Sequence, residues 1–141
     1  RRRTISSAKQ RQAAEGKECV EVPAGDDPAF PCFVGTKLVG SFTSGKFVNG
    51  ARYVVTCIGI SWGERACLKD ELTEDEFETS LEAISKHCLL AWAMVYPKVQ
   101  GCTESGTVLL HDMNSKFLKL CHLYVGISRV TDGGNVFIAR D

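Results

Sequence analysis

The sequence predicts an α/β protein in which a small β-barrel is inserted ahead of a parallel sheet covered by helices. Two observations lead to this prediction. Short segments rich in β-branched and aromatic residues follow one another without an intervening helix from residue 35 to about residue 80. After them, apolar strand patterns alternate with helix patterns, which is typical of a parallel sheet.

Tight turns delimit the strands of the predicted barrel, residues 35–80. Residues 37–42 and 46–48 are predicted strands, separated by a turn at 43–45. Asn49 and Gly50 supply the positive φ angles that a tight hairpin requires. Residues 52–60 follow as a longer strand because β-branched and aromatic side chains dominate there. Trp62 lies at a predicted barrel tip and is expected to be exposed.

The predicted α/β part has strands at 89–96, 107–110 and 136–139 and helices at 80–86 and 118–129. The first strand is almost continuously apolar, as expected of a strand buried on both faces, and Trp92 within it is expected to be in the core. Residues 97–103 form a loop or short helix. The helix at 118–129 places one apolar face inward, formed by Leu120, Leu123, Tyr124 and Ile127. Ahead of the barrel, we predict a helix at 4–15 that stops at Gly16, a short strand at 19–22 and a loop at 23–28.

Composition limits the function classes. The 141 residues are 44% hydrophobic and 24% charged, with a formal net charge of zero. A net charge of zero argues against binding of a polyelectrolyte over the whole surface. It is compatible with a local strip of basic residues. No apolar run approaches the ~18 residues of a membrane span, so no membrane partner is expected. A start at three arginines, with neither methionine nor signal segment, indicates a piece of a longer intracellular protein. The acidic run at 71–82 is interpreted as a solvated face.

Neither the cysteines nor the histidines suggest a metal site. The cysteines are odd in number and form no C-x-x-C pair, so we expect small core residues in a reducing compartment. The histidines lack metal-ligand spacing and are expected at the surface or as satisfied core residues. These residues are Cys19, Cys32, Cys57, Cys67, Cys88, Cys102, Cys121, His87, His111 and His122.

The most informative stretch is HLYVGISRVT at residues 122–131. It resembles the sixth motif of superfamily 1 helicases, whose RecD-like branch has the string (L)YV(A/G)(L/I)SR. Upstream, KVQGCT at 98–103 resembles the fifth motif, HK(S/V)QG-x-T, and residues 107–112 stand where that family has the following strand. Asn49-Gly50 with Val54-Val55 is similar to the hairpin of the family's SH3-like insertion. The matches cover about residues 35–139.

The resemblance implies an ATP-dependent DNA helicase of superfamily 1, of which this chain is the C-terminal part. It implies a partial RecA-like element at 1–34, an SH3-like barrel at 35–80 and a RecA-like C-terminal domain at 81–141. ATP with Mg²⁺, single-stranded DNA and an upstream P-loop domain of the same protein are the implied cofactors and partners. The sequence has no G-x-x-x-x-G-K-[ST] string, so the chain alone is expected not to hydrolyse ATP.

The resemblance assigns roles to individual residues. Arg129 is the expected arginine finger, because a guanidinium fork suits the charge that develops on a transferred phosphoryl group. Ser128 supports it. The alternative is a surface cation at a helix end. The residues expected on the nucleotide side are Gln100, Gly101, Ser128 and Arg129, and those expected to contact DNA are Lys98, Thr103 and Trp62.

Two positions depart from the family pattern. Val95 stands where the family has a threonine that touches DNA phosphate, and Pro97 stands where it has histidine. Valine has no hydroxyl and proline has no N–H, so polar contacts are lost. These departures are consistent with the alternative function, a non-catalytic nucleic-acid- or protein-binding module derived from a helicase fold.

Overall fold

The computed structural model describes residues 2–23, 29–59, 64–100 and 102–139. Side chains are described for these residues except 2–5, 97 and 98. The chain forms two compact units, Arg1–Ala93 and Met94–Asp141. Trp62 and Gly101 lie outside the described residues, as does most of the predicted loop at 23–28.

The first unit begins with helix α1, Arg2–Ala13, as the helix-forming composition predicts. The chain turns after it and passes through Gly16 at a φ of 73°, which is a conformation that glycine adopts without strain. Strand β1, Val20–Val22, then pairs antiparallel with β2, Phe30–Cys32. The strand at 19–22 is confirmed, whereas β2 has only three residues with a proline at its centre and was not predicted.

A five-stranded antiparallel sheet occupies most of the first unit. Its strands are β3, β4, β5, β6 and β7, at Lys37–Gly40, Arg52–Gly59, Arg65–Asp70, Glu76–Ser80 and Cys88–Leu90. The order is β6-β5-β4-β3-β7, so the first strand of this sheet also pairs with the last. The predicted strands at 37–42 and 52–60 are confirmed with slightly shorter bounds. The predicted strand between them, 46–48, is instead part of a tight turn with an isolated bridge between Ser44 and Phe47.

The turn at Asn49-Gly50 differs from the expected hairpin geometry. Ala51 donates a backbone hydrogen bond to the Val48 carbonyl at 3.1 Å, and only Gly50 of the two central residues has a positive φ, 82°. One positive angle at the third position is the signature of a type II turn. The turn also lies against Gly40, where a Cβ atom would stand 2.1 Å from the Val48 carbonyl oxygen. Glycine is therefore required at position 40.

Helix α2, Leu81–His87, joins β6 to β7 and confirms the predicted helix at 80–86. Its N-cap is Ser80, whose hydroxyl accepts a 3.1 Å hydrogen bond from the Ala83 amide. The core beneath the sheet is apolar, with Leu38, Leu68 and Ile84 fully enclosed. Phe47, Tyr53 and Phe77 pack edge to face beside them, with centroids 5.5–6.0 Å apart.

The predicted buried strand at 89–96 is wrong. Strand β7 ends at Leu90, and the chain then turns away from the sheet. Trp92 is 48% exposed and Val95 is 44% exposed, so neither is a core residue. The apolar run at 89–96 predicted a strand buried on both faces. Strand β7 instead lies at the edge of an antiparallel sheet, and residues 91–96 belong to no strand. The parallel core expected here is not observed in this segment.

The second unit contains a β-α-β arrangement. It consists of β8 (Val108–Leu110), helix α3 (Leu120–Ile127) and β9 (Val136–Ile138), with 3₁₀ helices at Tyr96–Val99 and Gly133–Asn135. Strands β8 and β9 are parallel, which confirms the parallel arrangement for this pair. The short helix at Tyr96–Val99 fits the predicted loop or short helix.

The inward face of α3 differs from the prediction. Within the described part of this unit, Leu120, Tyr124 and Ile127 are 82%, 73% and 49% exposed, whereas Gly126 is buried. A Cβ atom at Gly126 would lie 2.9 Å from the Tyr96 ring and 3.1 Å from Leu110. The close approach at glycine turns that side of the helix inward and leaves these three apolar side chains exposed. Leu123, the fourth residue of the predicted face, is half-buried.

The cysteine prediction is correct for two positions only. Cys32 and Cys88 are buried, whereas Cys19, Cys57 and Cys121 are exposed, and all seven thiols are free. Burial raises the pKa of Cys32 to about 11 and that of Cys88 to about 12. Among the described residues, no helix is long and apolar enough to cross a membrane.

Candidate functional site

The loop at 102–105 runs beside the segment that follows α3. The Glu104 amide donates a 2.8 Å hydrogen bond to the Arg129 carbonyl, and the Thr131 amide donates to the Glu104 carbonyl at 3.0 Å. Glu104 and Val130 thereby form a parallel bridge. The residue that directly follows the motif at 98–103 therefore contacts the end of the motif at 122–131 through its backbone.

The Arg129 guanidinium is held by its neighbour. Its Nε and Nη2 atoms donate to the Ser128 hydroxyl at 3.3 and 3.1 Å, and that hydroxyl donates to the Val125 carbonyl at 3.2 Å. Among the described residues no carboxylate forms an ion pair with Arg129, which is half-buried. A guanidinium has five N–H donors, so donors remain for an anionic ligand.

Arg129 lies one residue beyond the C-cap of α3. The cap is Ser128, whose amide donates to the Tyr124 carbonyl at 2.9 Å. A cation at this position also interacts favourably with the negative end of the helix macrodipole. The position of Arg129 is thus compatible with an arginine finger and also with a surface cation at a helix end. The hydrogen bonds between Arg129 and Ser128 are a more specific feature than this position.

Tyr96 fixes the orientation of α3 within the second unit. Its hydroxyl donates to the His111 carbonyl at 3.2 Å, and its ring stacks on His122 with centroids 6.1 Å apart. The ring also fills the space above Gly126. Sequence reasoning missed both Tyr96 and Gly126. The available signal was a glycine inside a helix pattern, which costs about 1 kcal/mol relative to alanine and often marks a close approach.

The remaining predicted residues are more dispersed. Gln100 is exposed and caps the 3₁₀ helix Tyr96–Val99, and the Cys102 amide donates to the Val99 carbonyl at 3.0 Å. No contact joins the Gln100 side chain to Ser128 or Arg129 in the described part of the unit. Thr103 is exposed. The Lys98 side chain, like Gly101 and Trp62, lies outside what the structure describes.

The two departures from the family pattern lie at the start of the same 3₁₀ helix. Val95 is its N-cap, with extended backbone and no side-chain cap, and Pro97 lies in its first turn. Proline suits that place because the N–H it lacks would have no helical partner. Pro97 therefore has a structural reason that the sequence comparison did not supply.

Of the three histidines, His122 is hydrogen-bonded, as expected of a satisfied residue, whereas His87 and His111 each have an unsatisfied ring nitrogen within the described part of the chain. The Nδ1 atoms of His87 and His111 are buried without a hydrogen-bond partner among the described residues. His87 instead stacks on Phe47, with ring centroids 5.0 Å apart, while His122 accepts a 3.3 Å hydrogen bond from the Lys119 amide. The described residues contain no group of three or more potential metal ligands.

The fold is thus a mixed α/β one, with an antiparallel five-stranded sheet and a β-α-β unit. It is similar to Pif1 of Bacteroides bound to single-stranded DNA, with a TM-score of 0.53 and 14% identity over 94% of this chain. It is also similar to the Pif1 helicase from Candida albicans, with a TM-score of 0.56 and 14% identity over 99% of this chain. At this identity the likeness shows a shared fold.

The chain spans 38% of the length of the Bacteroides protein and 43% of the Candida protein. No protein-family model matches the sequence. No curated protein matches it either.

Proposed function

We propose that this chain is the C-terminal part of an ATP-dependent DNA helicase of superfamily 1, in its RecD-like branch. In this proposal Arg129 is the arginine finger for a nucleotide held by a P-loop domain of the same protein. The observation that carries the proposal is the Arg129 guanidinium, held by Ser128 beside the loop that follows the motif at 98–103. The fold shared with a Pif1 helicase supports it.

The domain assignment is part of the same proposal. The meander of β3 to β6 corresponds to an SH3-like insertion at 35–80, and β7, which lies within 81–141, pairs with its first strand β3. The β8-α3-β9 unit corresponds to the RecA-like domain at 81–141, and α1 belongs to the partial RecA-like element at 1–34. The support is the strand order in the first unit and the parallel β8–β9 pair in the second.

The proposed chemistry requires a cation where negative charge develops on the transferred phosphoryl group. Arg129 offers a planar fork of donors in an orientation limited by Ser128. ATP, which carries the transferred phosphoryl group, and Mg²⁺ would be held mainly by the P-loop domain. Gln100 and Gly101 are assigned to the nucleotide side of the loop. Lys98, Thr103 and Trp62 are assigned to single-stranded DNA.

The test is ATP hydrolysis by the full-length protein with saturating single-stranded DNA. Arg129→Ala should lower kcat by about 10³-fold or more, which corresponds to roughly 4 kcal/mol of transition-state stabilisation. Arg129→Lys should remain largely inactive, because it keeps the charge but loses the fork. The matched control is Arg65→Lys, since Arg65 is an exposed arginine paired with Glu78 at 2.8 Å. Near-normal kcat together with a lowered Tm for Arg129→Ala would make this arginine structural.

A second candidate function is a non-catalytic nucleic-acid- or protein-binding module derived from the same fold. Val95 favours it, because an exposed valine at the start of the motif offers no hydroxyl to a phosphate. Hydrolysis of ATP by the full-length protein distinguishes the two functions. The helicase requires DNA-stimulated hydrolysis of ATP by the full-length protein, whereas the module would bind its partner without hydrolysis at any DNA concentration.

A further inference from the structure

Two cysteines of the first unit face each other across neighbouring strands. Cys57 on β4 and Cys67 on β5 are direct register partners, so their side chains lie on the same face of the sheet. Directly opposed residues of antiparallel strands have Cβ atoms about 4.5–5.5 Å apart, closer in non-hydrogen-bonded pairs. A disulfide needs about 3.5–4.5 Å, so a small approach of the two strands would bring the sulfur atoms into bonding distance.

The backbone beside this pair is irregular, which allows such an approach. The register shifts between Val55 and Cys57, which leaves Thr56 as the extra residue of a β-bulge. The Thr56 hydroxyl donates to the Cys67 carbonyl at 3.4 Å and also hydrogen-bonds the Glu76 carboxylate. A bulge locally disrupts the hydrogen-bond ladder and increases the twist of the strands. The two strands can therefore adjust here at lower cost than in a regular ladder.

Accessibility distinguishes the two thiols from each other. Cys57 is exposed and Cys67 is half-buried. The neighbouring Cys57 thiol raises the pKa of Cys67 to about 11, with smaller contributions from burial and from the Glu76 and Glu78 carboxylates. Cys57 is therefore the thiol that an external reagent meets first, and Cys67 is the second thiol, held within reach.

The other cysteines do not offer the same arrangement. Cys32 and Cys88 are buried, with 0% and 3% exposure, and a reagent cannot reach them in the folded state. Cys102 is half-buried and lies in no strand, and Cys19 and Cys121 are exposed, but neither of these two has a cysteine as cross-strand partner in the described sheets. These exposed positions provide controls for simple surface reactivity.

We propose that Cys57 and Cys67 form a reversible disulfide modification site whose co-substrate is a small-molecule disulfide. The Cys57 thiolate attacks one sulfur of the reagent, forming a mixed disulfide and releasing one reagent thiol. Cys67 then loses its proton and attacks the Cys57 sulfur, which forms the Cys57–Cys67 bond and releases the second thiol. Two electrons and two protons pass from the protein to the reagent. The inference does not depend on the proposed helicase function.

The test is incubation of the folded protein with oxidised glutathione, followed by alkylation, non-reducing digestion and mass spectrometry. We expect a Cys57–Cys67 linked peptide that is lighter by two hydrogens and disappears with dithiothreitol. Cys67→Ser should stop at a glutathione adduct on Cys57, whereas Cys57→Ser should yield no linked peptide. Cys121→Ser, the matched control, should form the link as the unaltered protein does.

A parallel reaction in urea tests whether the folded sheet selects the pair. Unfolded protein should give several linkages without preference, while the folded protein should give the Cys57–Cys67 link in excess over all others. Melting curves of both serine variants show whether they remain folded. Persistent glutathione adducts on Cys57 in the folded protein with Cys67 intact, or a different predominant pair, would overturn the proposal.

Discussion

The Glu104 amide donates a 2.8 Å hydrogen bond to the carbonyl oxygen of Arg129. This contact fixes the backbone of Arg129 against the loop that follows the motif at 98–103. A displacement of the loop therefore moves Arg129 as well. In the proposed helicase, the contact would couple the loop assigned to DNA with the arginine assigned to the nucleotide.

Ser128 is expected to act through Arg129 as a positioning residue. Ser128→Ala removes the hydroxyl that accepts from Nε and Nη2 of the guanidinium, so kcat for ATP in the full-length protein should fall by about 10-fold, or roughly 1.4 kcal/mol. Ser128→Thr keeps a hydroxyl and should restore most of the activity. The control is Ser105→Ala, at an exposed residue of the neighbouring loop. Equal loss in the alanine and threonine variants would contradict the positioning role.

Gly126→Ala is expected to destabilise the second unit. The new Cβ would lie 2.9 Å from a Tyr96 ring carbon, and the ring is held by its hydrogen bond to His111 and by stacking. Overpacking of this kind costs about 1–3 kcal/mol, which exceeds the gain in helix propensity of up to about 1 kcal/mol. Urea denaturation followed by circular dichroism measures the difference.

Gly106→Ala is the matched control for that experiment, because a Cβ at Gly106 meets no atom within 4 Å. This variant should retain the stability of the unaltered protein. If the two alanine variants unfold at the same urea concentration, the close packing of Tyr96 on α3 is not what requires glycine at position 126.

Gln10→Met should destabilise the first unit. Gln10 is fully buried, and its amide donates to the Pro31 carbonyl at 2.8 Å and to the Thr36 hydroxyl at 2.9 Å, while its carbonyl accepts from the Trp92 indole at 2.7 Å. Methionine keeps the volume but removes all three bonds, so we expect a loss of about 2–4 kcal/mol in the free energy of unfolding. Thermal melts compare it with Gln12→Met, an exposed position of the same helix. Similar Tm values for the two variants would argue against a structural role for the buried amide.

Alkaline pH is expected to destabilise the fold through its buried thiols. The pKa values of Cys32 and Cys88 rise from an ordinary value of 9.0 to about 11 and about 12, because burial disfavours the thiolate. Above pH 9 the unfolded chain loses these protons while the folded one retains them. The stabilising contribution is therefore complete below pH 9 and is lost as the pH rises to about 11 and 12, at about 1.4 kcal/mol per pH unit for each thiol.

Because other groups also titrate in this pH range, the measurement compares how the free energy of unfolding depends on pH in different variants. The free energy of unfolding of Cys88→Ala should decrease less steeply from pH 9 to 11 than that of the unaltered protein. Cys121→Ala, at an exposed thiol, should leave the slope unchanged. Parallel slopes in all three proteins would show that burial of Cys88 has no linkage to pH.

Local signals predicted much of the first unit. Strand β4 follows from its β-branched residues, and helix α2 was predicted close to its observed bounds, because such signals act within a few residues. The strand at 89–96 was mispredicted because an apolar run indicates burial but does not identify the partner strand. Tyr124 on α3 is exposed because Gly126 packs against Tyr96. These two residues are 30 positions apart, so the spacing of apolar residues within the helix could not predict their contact.

Two residues of the candidate site were predictable from the sequence, but the contacts that hold them were not. The motif strings identified Ser128 and Arg129, and the structure adds the hydrogen bond between these neighbours. The backbone bond from Glu104 to Arg129 was not predictable, because it depends on how the 102–105 loop returns to the end of α3. The Cys57–Cys67 pairing likewise depends on the register of two strands, which a count of cysteines does not specify.

The hydrogen bond between Trp92 and Gln10 joins positions 82 residues apart, near the two ends of the first unit. Ordering so long a loop costs entropy that only a nearly complete fold can offset, so this bond should form late in folding. For the same reason it should be among the first to break when the unit opens locally. Helix α1 would then exchange its amide hydrogens faster than strands β4 and β5, even while the sheet stays intact.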